Sequence, residues 1–185
     1  RAELQVTRTR ARVEQIAGRP EEGLRILANA VEQYPDNLEL RYARALMAAR
    51  LDRFEVARGD LEHVLDAEPD NARALNALGY MLADRGLELQ RAKSMIERAL
   101  EQNPEDAATL DSMGWVLYRL GRNEEALEYL RTAWERSRDA EIAAHLGEGL
   151  WVQGLRQRAR EIWAAGEELA PDNEVLQETL ERLAR

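Results

Sequence analysis

A chain of 185 residues with 45% apolar and 33% charged side chains carries enough core-forming residues to fold, and is too apolar for a disordered segment. Its formal net charge of −9, from 26 basic and 35 acidic side chains, argues against duplex nucleic acid, whose binding draws on clustered Lys and Arg. The absence of Cys excludes disulfides and thiolate metal sites, and no apolar run approaches the ~18 residues of a membrane span, so no membrane insertion is expected. Ala, Leu, Glu and Arg dominate, with five Pro and one Phe, which favours helix nearly throughout.

The chain begins at Arg1 without Met and in mid-pattern, which predicts a longer protein upstream. A first pair of helices is expected over 4–37. Its leading helix places Thr7 and Arg10 where later copies carry large apolar residues, and its second opens on GRPEEGL (18–24), an echo of GRNEEAL (121–127). A second pair over 38–71 closes on Pro69, as the first closes on Pro35. The third, 72–106, contains LNALGYML (75–82), a turn at Gly86 with one extra residue in GLELQ, then RAKSMIERAL and Pro104. The fourth, 107–139, contains LDSMGWVL (110–117), Gly121 and EALEYLRTAW, with Ser137 and Arg138 where the others close on proline. The fifth, 140–173, contains AAHLGEGL (143–150), Gly154, RAREIWAAGE and Pro171. A lone helix, 174–185, follows; its Leu176, Leu180 and Leu183 form one stripe and Glu181 takes the small-residue position, as in a solvating cap.

Gly79, Gly114 and Gly147 head the repetition, 35 and 33 residues apart. Each is expected to face an alanine of the next helix (Ala92, Ala126, Ala159), so that the two helices approach closely. Proline cannot continue a helix, and the Asn of the recurring P-D-N phrase suits the cap of the next one. No such pair buries its apolar stripe alone, so stability must come from stacking on neighbours.

On these residues the chain resembles the tetratricopeptide repeat family. The best copy supplies Leu110, Met113, Gly114, Leu117, Ala126, Leu130 and Ala133, and the next supplies Ala143, Leu146, Gly147, Leu150, Ala159, Trp163, Gly166 and Pro171. The resemblance implies an all-α fold, a right-handed α-solenoid of stacked helix-turn-helix units forming a single repeat domain. It also implies a concave surface lined by the first helix of each pair. Aligned positions there read Arg12, Leu46, Tyr80, Trp115 and Glu148 in one row, and Gln15, Ala49, Ala83, Tyr118 and Trp151 one turn later.

The candidate partner-binding site is therefore an exposed aromatic strip of Tyr80, Trp115, Tyr118 and Trp151, rimmed by Asp84, Asp111, Arg119 and Glu148. Aromatic rings anchor interfaces because they bury much area at little rotamer cost. Packing between neighbouring helices is the competing reading of Tyr118 and Trp151, whereas Trp134 and Trp163 read as core. Arg8, Arg12 and Arg73 invite comparison with the family's carboxylate clamp, but Ala43 and Ala77 stand where that clamp needs polar side chains. His63 and His145 have no neighbouring ligand at helical spacing, so no metal and no cofactor are expected. His145 falls near the concave face, within reach of a ligand. With no Cys nucleophile, phosphate loop or Ser in a strained turn, no catalytic residues and no enzyme are expected.

The function that follows is a scaffold or adaptor holding a peptide or extended segment of a partner protein. The C-terminal segment, DSMGWVLYRLGRNEEALEYL with AEIAAHLGEGLW, resembles repeat-rich outer-membrane lipoproteins of Gram-negative bacteria. Some of these are adaptors for a periplasmic carboxy-terminal processing protease and its substrates. That resemblance implies a periplasmic domain tethered to the outer membrane through an upstream region; without it, a cytoplasmic protein is the alternative. Two other readings stay open: a homodimer through Val6, Val13 and Ile16 of the first helix, or a regulatory appendage of an enzyme encoded upstream.

Overall fold

The computed structural model describes residues 2–184, and among these every regular element is an α-helix. Eleven are described: α1 (Ala2–Ile16), α2 (Pro20–Gln33), α3 (Leu38–Arg50), α4 (Phe54–Ala67), α5 (Ala72–Asp84), α6 (Leu89–Gln102), α7 (Ala107–Arg119), α8 (Asn123–Arg136), α9 (Ala140–Val152), α10 (Arg156–Leu169) and α11 (Glu174–Leu183). Odd-numbered helices are the first of each pair and even-numbered ones the second. Arg185, placed in the capping helix by the sequence reading, lies outside the described residues.

The punctuation has local causes. Each of α3, α5 and α11 is capped by the Asn of P-D-N: Asn37 accepts from the Leu40 N–H, Asn71 from Ala74 and Asn173 from Leu176. Asp106 and Asp139 do the same for α7 and α9. Such a cap stabilises a helix by about 1 kcal/mol. Within a pair the chain turns through a left-handed residue, Gly18, Gly86, Gly121 or Gly154, with φ between +68° and +82°. In the second pair Asp52 takes that conformation. The extra residue of GLELQ yields a second left-handed position, Glu88, as the N-cap of α6.

Two compact units divide the chain, Arg1–Leu78 and Gly79–Arg185. In the first, α1 packs on α2, α2 on α3 and α3 on α4. Ala11, Leu27, Ala30, Val31, Leu40 and Met47 form its core cluster. In the second, α7 packs on α6, α8 and α9, while α9 also meets α8, α10 and α11. The small residues explain the close approach. A Cβ on Gly79 would meet Ile96 and the Ala92 carbonyl, and one on Gly114 would meet Leu130 at 2.5 Å. At Gly147 it would enter the Trp163 indole rather than press on Ala159. Trp134 and Trp163 are both core.

The last helix does more than present a polar exterior. Leu176 and Leu180 are buried, but Arg182 also reaches back to Glu148 with two charge-assisted hydrogen bonds of 3.0 and 2.6 Å.

Candidate functional site

The sequence MGWVLY on α7 leaves no evident polar face, and the structure shows what covers it. Residues 109–117 of α7 and 142–150 of α9 are buried without a break. These two helices pack together and hold a seam of rings and charges between them. At its centre lies the Trp115 indole, stacked on the His145 imidazole at 4.2 Å between centroids and on the Tyr118 ring at 5.1 Å. Its Nε1–H donates to Asp84 Oδ1 at 3.2 Å. Arg119 donates to the Asp84 carbonyl at 2.8 Å.

His145 is 1% exposed, and its Nδ1 lies 2.9 Å from Asp111 Oδ2. Burial disfavours the imidazolium, but the charge and hydrogen bond of Asp111, helped by Glu141 and Asp84, overcome it and raise the pKa to about 9. The ring is therefore a cation at neutral pH, with both nitrogens donating. Nδ1–H points to Asp111, and Nε2–H to the Tyr80 hydroxyl at 3.5 Å, near the limit of a hydrogen bond. Burial raises the Tyr80 pKa well above 10, reinforced by Glu141 and Asp84. At the other end of the seam Tyr118 O–H donates to Glu148 at 2.9 Å, and burial together with the Glu148 charge lifts that phenol to about 12.

The eight predicted site residues thus fall into two groups. Trp115, Asp111 and Glu148 are not a groove lining; Trp115 is 5% exposed, and all three are sealed in the seam. The exposed strip expected from the repeat alignment is corrected here. The alignment gives a residue's helix face, whereas the next first helix supplies His145 to stack on that face, and α11 supplies Arg182 to neutralise it. His145 is likewise out of reach of any ligand. Tyr80, Tyr118 and Trp151 remain partly accessible, and Asp84 and Arg119 are exposed. Trp151 carries the guanidinium groups of Arg156 and Arg160 at 5.0 and 5.2 Å from its ring. Cation–π contacts of this kind are worth roughly 0.5–1 kcal/mol at exposed sites.

In the first unit the sequence reading missed a charged cluster. Asp60 of α4, 1% exposed, accepts from Arg44 at 2.6 and 2.8 Å and from Arg41 at 2.9 Å. The available signal was a carboxylate in the apolar register of Ala57, Leu61 and Val64. Arg8 and Arg73, compared above with a clamp, both pair with Glu39, and Arg73 also lies over the Tyr42 ring at 4.7 Å. Among the described residues no three His, Asp or Glu side chains gather closely enough to hold a metal ion. No described helix is long and apolar enough to cross a membrane.

Models of the tetratricopeptide repeat match residues 8–62, 48–88 and 82–149, covering most of the helical pairs. The chain belongs to the tetratricopeptide repeat family. Its fold is accordingly the α-solenoid of that family, whose members act as protein-interaction scaffolds. A TPR repeat-containing protein of Pseudomonas aeruginosa is 45% identical over 128 residues, 69% of this chain. The match spans 22% of that relative's length. Among solved structures, a thermophilic TPR protein of Thermus thermophilus superposes with a TM-score of 0.81 at 22% identity, covering 97% of both chains. A tetratricopeptide repeat protein of Parabacteroides merdae gives 0.80 at 19% identity, covering 97% of this chain and 70% of its own. YrrB, a TPR protein with an unusual peptide-binding site, gives 0.58 at 20% identity, covering 92% and 88%. At these identities the likeness carries the fold.

Proposed function

We propose that this chain is a protein-interaction scaffold whose second unit captures a partner segment along the open edge of its first helices, through Tyr118, Trp151, Asp84 and Arg119. The observation that carries this reading is the partial exposure of the Trp151 ring, with two guanidinium groups over it and exposed Val152 beside it. A half-buried indole of this kind offers apolar area at low entropic cost and a charged border for selectivity. The sealed residues, Trp115 above all, support the edge from behind and touch no partner. The finer reading is a periplasmic adaptor for a carboxy-terminal processing protease, tethered to the outer membrane through an upstream region. What supports it is the resemblance of 111–151 to such lipoproteins. A purified protease of that class should be retained by the immobilised chain and released by Trp151→Ala; retention that ignores Trp151 and Tyr118 together overturns the edge as the site.

Self-association is the second reading, favoured by α1. Val6, Val13 and Ile16 are 58%, 53% and 77% exposed and lie along one helix. Light scattering across a concentration series should show a mass that doubles, and Ile16→Glu should abolish the rise. A constant monomer mass removes this reading.

A further inference from the structure

The fourth pair departs from the others where α8 meets α9. Four-residue links carrying Pro join α2 to α3, α4 to α5, α6 to α7 and α10 to α11; here only Ser137, Arg138 and Asp139 intervene. Ser137 is extended, with φ −146° and ψ 120°. The shortened link lays the Arg138 guanidinium over the Trp134 ring at 4.5 Å. It forms one end of a groove of about 280 Å³ on the second-helix side of the unit, between α8 and α10. Ile162, partly exposed, supplies its apolar surface, and the buried Trp134, Leu146 and Leu150 lie beneath it. That volume lies at the low end of ligand clefts, enough for one or two side chains rather than for a cofactor.

The rim carries Arg131, Arg138 and Arg158. Elsewhere in this acidic chain arginines are mostly bound to carboxylates: Arg41 and Arg44 to Asp60, Arg122 to Glu125, Arg136 to Glu105, Arg182 to Glu148. Among the described residues none of these three rim guanidinium groups forms an ion pair, although Glu135 and Glu161 lie on the same rim and Arg131 is spaced i,i+4 from Glu135. Three cations face two carboxylates around the partly exposed Ile162.

We infer that the α8–α10 groove is a second docking surface, which takes an extended acidic–aliphatic peptide segment: an aliphatic side chain lies against Ile162 and carboxylates on either side engage Arg131, Arg138 and Arg158. Guanidinium suits this task because it grips a carboxylate through two parallel hydrogen bonds. The surface is independent of the Tyr118–Trp151 edge, so one chain holds two segments at once.

The test uses an eight-residue capped peptide alternating glutamate and leucine, titrated into the whole chain by calorimetry, beside a lysine–leucine and a glutamate–serine counterpart. The glutamate–leucine peptide should bind, with affinity falling about tenfold in Arg138→Glu and further in Arg131→Glu/Arg158→Glu, since like charges facing each other oppose docking. Arg138→Lys should keep part of the affinity, and Trp151→Ala should leave it unchanged. All the substituted arginines are exposed, and circular dichroism checks that helicity is retained. Equal binding of the lysine–leucine peptide, indifference to the arginine variants, or no binding of the glutamate–leucine peptide overturns the assignment. Loss in Trp151→Ala alone moves the peptide to the other edge and overturns it equally.

Discussion

The two units use the same helical pair for opposite ends. In the first, the leading-helix side stays open: Leu46 is exposed, Arg8 and Arg73 meet Glu39 at the surface, and a buried charge, Asp60, is held from the second helix α4. In the second, that side is closed by Trp115, His145 and their carboxylates, so that residues 109–117 of α7 and 142–150 of α9 are buried, and an edge stays open at Tyr118 and Trp151. The difference lies in a few side chains at equivalent positions. Trp115, with the flat, charged His145 stacked on it, becomes core, and Leu46 in the same row stays at the surface.

In the first unit the contrast can be broken at Asp60. Asp60→Ala leaves the Arg41 and Arg44 guanidinium groups without their anion and should cost the first unit about 3 kcal/mol. Hydrogen exchange should then accelerate in α3 and α4 while α7 and α9 keep their protection. Uniform loss across both units would show that they do not differ as described.

The seam of the second unit should be visible in pH. The His145 pKa is raised from 6.5 to about 9, so the stabilisation is complete below pH 6.5 and is lost as pH climbs towards 9 and above. The difference corresponds to about 3 kcal/mol at most, taken as 1.36 kcal/mol per unit. Denaturant titrations between pH 6 and 10 should show this decline, and Asp111→Asn should flatten it. A profile that is flat in the parent chain contradicts a buried imidazolium.

Smaller effects sharpen the same comparison. Gly147→Ala must push the Trp163 ring aside and should cost roughly 2 kcal/mol by overpacking, read as a lowered melting temperature. Arg182→Ala leaves Glu148 with Tyr118 as its remaining hydrogen-bond donor, but the half-exposed Arg182 shares its charge with water, so about 1 kcal/mol is expected. A value near zero would reduce α11 to the solvating cap that its leucine stripe suggests.

Helix order, turn glycines and Asn caps were legible in the sequence because each has a local cause that recurs near every 34 residues. The seam was legible only in part. Trp115 and Tyr118 stand out as rings in rows that also carry Tyr80 and Trp151, yet nothing local tells whether another side chain covers them. The missing signal is pairing across one repeat. Asp111 with His145, Glu148 with Arg182 and Glu39 with Arg73 are each 34 residues apart, acid and base at matching positions of successive units. Asp60 was missed for a different reason, since its partners lie on the helix before it, 16 and 19 residues away.

Trp115→Ala offers the most direct measurement, read as unfolding free energy alongside partner capture. A sealed indole stacked between His145 and Tyr118 predicts a loss of about 3–5 kcal/mol, well beyond that of Trp151→Ala. Unchanged stability together with abolished capture would return Trp115 to the binding surface and contradict the seam.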